Sequence, residues 1–252
     1  MCYSKSLAKD IRDLTRRYGT ARPEKLSQKG LDFLREPIYY ANGFDFPMWP
    51  VITSPGAIEA RSWGLIPFFT KNRAEADKLR MMALNAKAET IFDKRSFRSS
   101  IMTNRCLVPV TGFYEWRWMD PKGKLKIPHY IYLKQEEIFS MAGIMDKWVD
   151  KTTGEVFQTY AIVTTMANLL MEKIHNSKKR MPVILPRSLE NEWLNPDITE
   201  QDLVELMQPI DDDKMAAHAI SKLITSRTEE RNVPEVMVKF DYPELKQTSL
   251  NI

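Results

Sequence analysis

Cysteine, histidine and glycine are all scarce in this chain, with two, three and nine copies in 252 residues, and each scarcity removes a class of protein. Two cysteines, Cys2 and Cys106, build no disulfide framework; with no CxxC pair and no Cys/His cluster, no metal site is expected. No run reaches the roughly 20 apolar residues of a membrane span, so no membrane role is expected. The first twenty residues include Lys5, Lys9, Asp10, Arg12, Asp13, Arg16 and Arg17, which leave no apolar signal region and point to a cytoplasmic location. Repeats and low-complexity tracts are also missing, which excludes solenoids and disordered linkers.

What remains is a globular composition: 43% hydrophobic, 28% charged, formal net charge +4. One domain over residues 1–252 is expected from that length and content. Lysine and arginine gather locally at Arg16-Arg17, Lys71 to Arg80, Lys94 to Arg98 and Lys178-Lys179-Arg180, with Trp63, Phe68, Phe69, Phe97, Trp116 and Trp118 near some of them. Basic residues interleaved with rings are how proteins hold single-stranded nucleic acid, although interspersed acids also suit an ordinary solvated face.

Helical spacing runs from Leu7 to Tyr18 and from Glu24 to Arg35, followed by a passage with Pro47, Pro50, Pro55 and Pro67 that suits extended segments and turns. Leu79 to Ser100 is helical again with a break near Asn85, and Arg105 to Val110 is a buried strand. Tyr130 to Leu133, Ile138 to Ile144 and Val156 to Val163 read as consecutive antiparallel strands. Thr165 is the expected cap of a helix Met166 to Ile174; Met181 to Leu185 is a strand, helices start near Ser188 and Thr199, and the last thirty residues hold a strand or two. The predicted class is α+β with a mainly antiparallel core and flanking helices.

Four residues have chemical potential. Cys2 follows the initiator; removal of Met1 would leave an α-amine and a thiol on adjacent carbons, a pair that condenses with an aldehyde to an imine and closes to a thiazolidine. An α-amine titrates near about 7.7–8.0, so much of it is the neutral nucleophile at physiological pH; the plain alternative is a residue in a frayed terminus. Glu115 lies in Gly112-Phe113-Tyr114-Glu115-Trp116, where aromatic neighbours would strip its hydration and raise its pKa toward proton-transfer range, unless it points to solvent from a strand end. His175 ends a helix before a cationic loop and suits either a proton acceptor or a helix cap. Asn85 can donate and accept at once, or serve as a turn residue. Lys87 can reach a phosphate, Cys106 reads as an inert core thiol, and His129 and His218 as surface or packing residues.

Met1-Cys2, Trp63-Gly64-Leu65-Ile66-Pro67, Asn85-Ala86-Lys87-Ala88-Glu89-Thr90, Arg105 to Pro109 with Gly112 to Trp116, Ala142-Gly143-Ile144, and Ile162 to Thr165 leading through Asn168 to His175 and Arg180 to Leu185 together resemble the SOS response-associated peptidase (SRAP) family, whose members process abasic sites in DNA. The resemblance implies that the freed Cys2 captures the open-chain aldehyde of an abasic site in single-stranded DNA, first as a Schiff base and then as a thiazolidine. It assigns proton transfer to Glu115, positioning of the amine or sugar to Asn85, and acid/base help or strand cleavage to His175. Lys87, Lys178 and Arg180 would grip phosphates, and Trp63, Pro67 and Phe68 would form a wedge or stacking surface. No cofactor is implied, and a monomer associated with the nucleoid when on DNA is expected.

The chain departs from the family pattern in places. Cys2 is followed by Tyr3-Ser4 where Gly-Arg is common, so that arginine's DNA contact is missing or falls to a neighbour such as Lys5. Lys87 stands for the usual arginine and loses bidentate phosphate geometry. His175 is farther than usual from Arg180-Met181-Pro182, and the usual Tyr-Asn segment is the diverged Tyr39 to Gly43. Two other readings stay open: a cysteine peptidase using Cys2 and His175, and a noncatalytic single-strand DNA binder.

Overall fold

Ser4–Leu7 is buried at all four positions, as expected of an interior strand, and forms β1. The helix expected from Leu7 starts later, as α1 (Ile11–Tyr18), because Asp10 accepts from the Arg12 and Asp13 N–H groups and fixes the first turn there. The computed structural model describes residues 2–19, 36–53 and 57–248, so the helix expected over Glu24 to Arg35 lies outside the described residues.

The first sheet has five strands. β1 is flanked by β2 (Ile38–Asn42) and β7 (Gly112–Trp118), and β7 continues to β8 (Lys126–Leu133) and β13 (Met215–Ala219), all antiparallel. Gly112 opens β7 because the Tyr130 ring lies over it: a Cβ there would fall 2.3 Å from the ring.

The second sheet contains β3 (Met48–Thr53), β4 (Ala57–Trp63), β5 (Asn85–Lys87), β6 (Arg105–Val110), β9 (Phe139–Val149), β10 (Val156–Met166), β11 (Arg180–Pro182) and β12 (Ile184–Leu185). Because β10 pairs with both β9 and β4, the path β4-β3-β6-β9-β10 closes on itself, and a closed ring leaves those strands no open edge. Its pairs are antiparallel except β10 with β4; β5 also joins β10 in parallel. Val51, Cys106, Val108, Met141, Ile144, Tyr160 and Ile162 are buried in the main core.

The helices are short. α2 (Arg73–Met82), α3 (Arg98–Thr103), α4 (Leu169–Ile174), α5 (Glu190–Leu194), α6 (Glu200–Leu206) and α7 (Pro243–Thr248) flank the sheets. The α+β class with an antiparallel core is thus present, but several local expectations change. The Leu79 to Ser100 helix ends at Met82, and Asn85 lies on β5, because β10 supplies the partners of Asn85, Ala86 and Lys87. The strands at Tyr130 and Ile138 fall in different sheets and do not pair. Thr165 belongs to β10; Asn168 is the cap, accepting from Met171 N–H. Met181 to Leu185 divides at Val183 between partners β10 and β9. Thr199 caps α6 in a reciprocal capping box, as its sequence suggests, whereas a 3-10 turn precedes α5 at Ser188. The last thirty residues show, where described, 3-10 turns, α7 and an isolated bridge between Ile220 and Lys239 in place of a strand.

Candidate functional site

The two sheets meet where β1 begins. Cys2, just before β1, is fully buried, and its carbonyl accepts a hydrogen bond of 2.9 Å from Asn85 Nδ2 on β5, so one side chain links the start of the first sheet to the second. Asn85 is itself buried, and its Oδ1 accepts no hydrogen bond among the described residues. Glu115 stands on β7 beside β1 and is buried. His175 caps the C-terminus of α4 and reaches Glu115 with Nε2 3.9 Å from Oε2. The four predicted residues, spread from position 2 to position 175, are therefore drawn to one place.

Electrostatics separates their roles. Burial pushes the Glu115 carboxyl from 4.5 to about 7, which leaves it divided between acid and base near neutrality. Burial pulls His175 down to about 4. Its Nδ1 lies 2.8 Å from the Arg180 carbonyl, a partner that only N–H can satisfy, so the proton sits on Nδ1 and Nε2 turns an acceptor lone pair toward Glu115. The Cys2 thiol, raised to about 12 by burial and then by the Glu115 charge, donates to the Ser4 carbonyl at 3.7 Å. Cys2 is a neutral thiol here, not a thiolate paired with imidazolium.

Tyr3, Glu115, Trp116, Trp118, Lys126, His175, Ser177 and Lys178 line a cavity of about 330 Å³. A larger one of about 540 Å³ opens by Arg17, Glu190 and Leu194, but Glu190 is held by Arg17 at 2.7 Å and no thiol or imidazole lines it. Tyr3, Trp116, Trp118, Lys126 and Ser177 were missed as site residues. The alternation Trp116-Arg117-Trp118 was the available signal that the two rings go together, since residues two apart share a strand face. Among the described residues no group of three or more His, Cys, Asp or Glu side chains is placed to hold a metal ion.

The predicted DNA contacts fare unevenly. Lys87 and Lys178 are exposed, Lys178 at the cavity. Phe68 is 61% exposed, but its contacts are with Phe69 and Asp146, and Pro67 is buried. Trp63 requires correction: it is fully buried, Nε1 donates to the Leu84 carbonyl at 2.8 Å, and the ring stacks on Tyr160, so it supports the core and offers no face to a base. Arg180 is also corrected. Its guanidinium turns inward to the Glu89 carboxylate at 2.7 and 2.9 Å and to the Thr164 carbonyl, a buried brace for β11 rather than a surface phosphate ligand. Lys5 cannot replace the absent arginine either, because its amine is buried 3.5 and 3.9 Å from the ring centres of Trp49 and Trp63 and donates to Tyr160 Oη. His129 and His218 are packing residues, with ring nitrogens bonded to the Ile127 and Met237 carbonyls. Cys106 is the buried core thiol expected, raised to about 12 by burial.

The chain and its fold have known relatives. The profile of the SRAP family, SOS response associated peptidase, matches residues 1–227, and the chain belongs to that family. It is 43% identical over 176 residues to the abasic site processing protein YoqW of Bacillus subtilis, covering 69% of this chain and 73% of that one. Similarity to the abasic site processing protein HMCES of Xenopus tropicalis is lower, 26% over 219 residues, covering 79% of this chain and 62% of that protein. A crystal structure of a protein from Bacteroides thetaiotaomicron superposes with TM-score 0.87 at 40% identity, over 95% of this chain and 100% of the other.

Proposed function

We propose that the protein processes abasic sites in the DNA damage response by joining itself covalently to the lesion in single-stranded DNA through Cys2. Removal of Met1 frees the α-amine. That amine attacks the C1′ aldehyde of the opened sugar, water leaves as the imine forms, and the thiol adds to the imine carbon while its proton passes to nitrogen, closing a thiazolidine. Glu115 gives a proton to the ring oxygen during opening and moves protons between amine, hydroxyl and thiol afterwards; His175 Nε2 takes protons beside it. Asn85, by holding the Cys2 carbonyl, aims the amine and keeps an acceptor for it or for a sugar hydroxyl. Lys87 and Lys178 meet flanking phosphates.

The observation that carries this reading is the buried carboxyl of Glu115 at about 7, facing His175 across 3.9 Å beside Cys2. It favours proton shuttling at an amine and carbonyl over thiol proteolysis. A Cys–His peptidase pair needs a lowered thiol and a raised imidazole, and burial moves both the other way here.

The test is incubation of the processed protein with abasic single-stranded DNA, followed by denaturing electrophoresis. A heat-stable adduct that is lost in Cys2→Ala supports the proposal. An adduct undiminished in Cys2→Ala overturns it, and binding that is released entirely by high salt indicates the noncatalytic alternative.

A further inference from the structure

We infer that Asn176 is a positioning residue whose carboxamide pins the turn carrying His175 to the strand carrying Glu115, setting the gap between them. The inference deepens the proposed function and rests on the roles given there to Glu115 and His175.

The turn from His175 to Arg180 has its own internal order. Lys179 N–H donates to the His175 carbonyl at 2.8 Å, Ala167 N–H donates to the Lys179 carbonyl at 3.0 Å, and His175 Nδ1–H donates to the Arg180 carbonyl. Lys179 adopts φ +48°, a left-handed conformation that a non-glycine residue takes only when its surroundings enforce it. None of these bonds fixes where the turn stands relative to Glu115. Asn176 makes two hydrogen bonds from the turn to β7: Oδ1 accepts from Trp118 N–H at 3.0 Å, and Nδ2 donates to the Trp118 carbonyl at 2.8 Å.

The residue type fits the task. Met119 N–H turns across the hairpin to Leu125 at 2.9 Å, which leaves the neighbouring peptide groups of Trp118 facing the other edge of β7. β1 reaches only Ser4 opposite Tyr114 on that edge, so Trp118 lacks a strand partner there. A carboxamide offers one donor face and one acceptor face, as a peptide unit does, and completes the edge. Aspartate would keep the acceptor and lose the donor. The residues between His175 and Arg180 thus have a structural use: Asn176 completes the strand edge, and Ser177 and Lys178 line the cavity together with Trp116 and Lys126.

The inference is tested with Asn176→Ala, Asn176→Asp and His175→Ala. The readouts are the crosslinking rate at saturating abasic single-stranded DNA and the affinity for the same strand carrying a tetrahydrofuran analogue, which has no aldehyde to capture. Asn176→Ala should slow the saturated rate roughly 10- to 100-fold, the penalty for misplacing a reacting group, while affinity stays within about twofold. Asn176→Asp should fall between, and Asn176→Ala added to His175→Ala should cause no further slowing. Losses that multiply in the double variant, or affinity that falls in step with rate, would overturn the inference. Should the parent form no adduct at all, the proposed function fails but the clasp is still tested by NMR titration of His175. Its midpoint, expected at about 4 in the parent because burial disfavours the imidazolium, should rise toward the usual 6.5 in Asn176→Ala as the turn loosens and the ring gains solvent; an unchanged midpoint would overturn the clasp.

Discussion

Replacing Glu115 with glutamine keeps the size and hydrogen-bonding reach of the side chain and removes its titration, which makes it the sharpest single perturbation of this site. The carboxyl is buried and raised from 4.5 to about 7. Two effects follow with opposite signs. Proton transfer is lost, so crosslinking should slow by roughly 10²–10⁴-fold, the usual contribution of a positioned acid or base. Stability at alkaline pH should rise. A carboxyl held above its unfolded value contributes most below pH 4.5, and that contribution disappears as pH climbs through 7; moving from 4.5 to about 7 corresponds to about 3 kcal/mol. The parent should therefore lose stability between pH 5 and 8 by an amount on this order, and Glu115→Gln should lack that slope. Quench-flow crosslinking against pH and urea denaturation at the two pH values measure the two effects. A rate unchanged by the substitution, or a parent rate with no inflection between about pH 6 and 8, would refute the assignment of proton transfer to Glu115.

Asn85→Ala deletes the donor to the Cys2 carbonyl and should cost about 1–2 kcal/mol in urea denaturation while slowing crosslinking; an unaltered rate would mean that the clamp does not aim the amine. Lys87→Ala should lower the slope of log affinity for single-stranded DNA against log salt by about 1. Arg180→Ala should leave that slope alone and reduce thermal stability, because its partners are Glu89 and Thr164; a reduced slope would restore Arg180 as a phosphate ligand. Gly112→Ala should destabilise by about 1–3 kcal/mol through the Cβ meeting the Tyr130 ring, and parent-like melting would show that the ring moves aside easily.

Much of the site was legible because its chemistry is local. Glu115 announces itself by the aromatic residues on either side, and Cys2 by its place directly after Met1. What stayed hidden depends on distant partners. Arg180 looked like part of a cationic loop, but the carboxylate that claims it is 91 residues away. Trp63 lies in a stretch with basic neighbours, and only the closure of β4 onto β10 shows that its ring faces Tyr160 and Lys5. Asn85 looked like a break in a helix because three residues are too few to show a strand period, and β5 exists through its parallel pairing with β10. Thr165 resembled a cap since threonine commonly starts helices, yet the β-branched run from Tyr160 continues through it and leaves Asn168 as the first residue free to cap. Asn176 gave no signal at all, because its function is a strand edge that only the tertiary arrangement exposes.

The most direct measurement is intact-mass and peptide-mapping mass spectrometry of the purified protein after reaction with abasic single-stranded DNA. An N-terminal 1,2-aminothiol that closes on the sugar aldehyde predicts loss of Met1, one adduct with the combined mass less one water, and attachment at Cys2. Retained Met1 on a fully adducted chain, or attachment at a lysine with Cys2 unmodified, would contradict it.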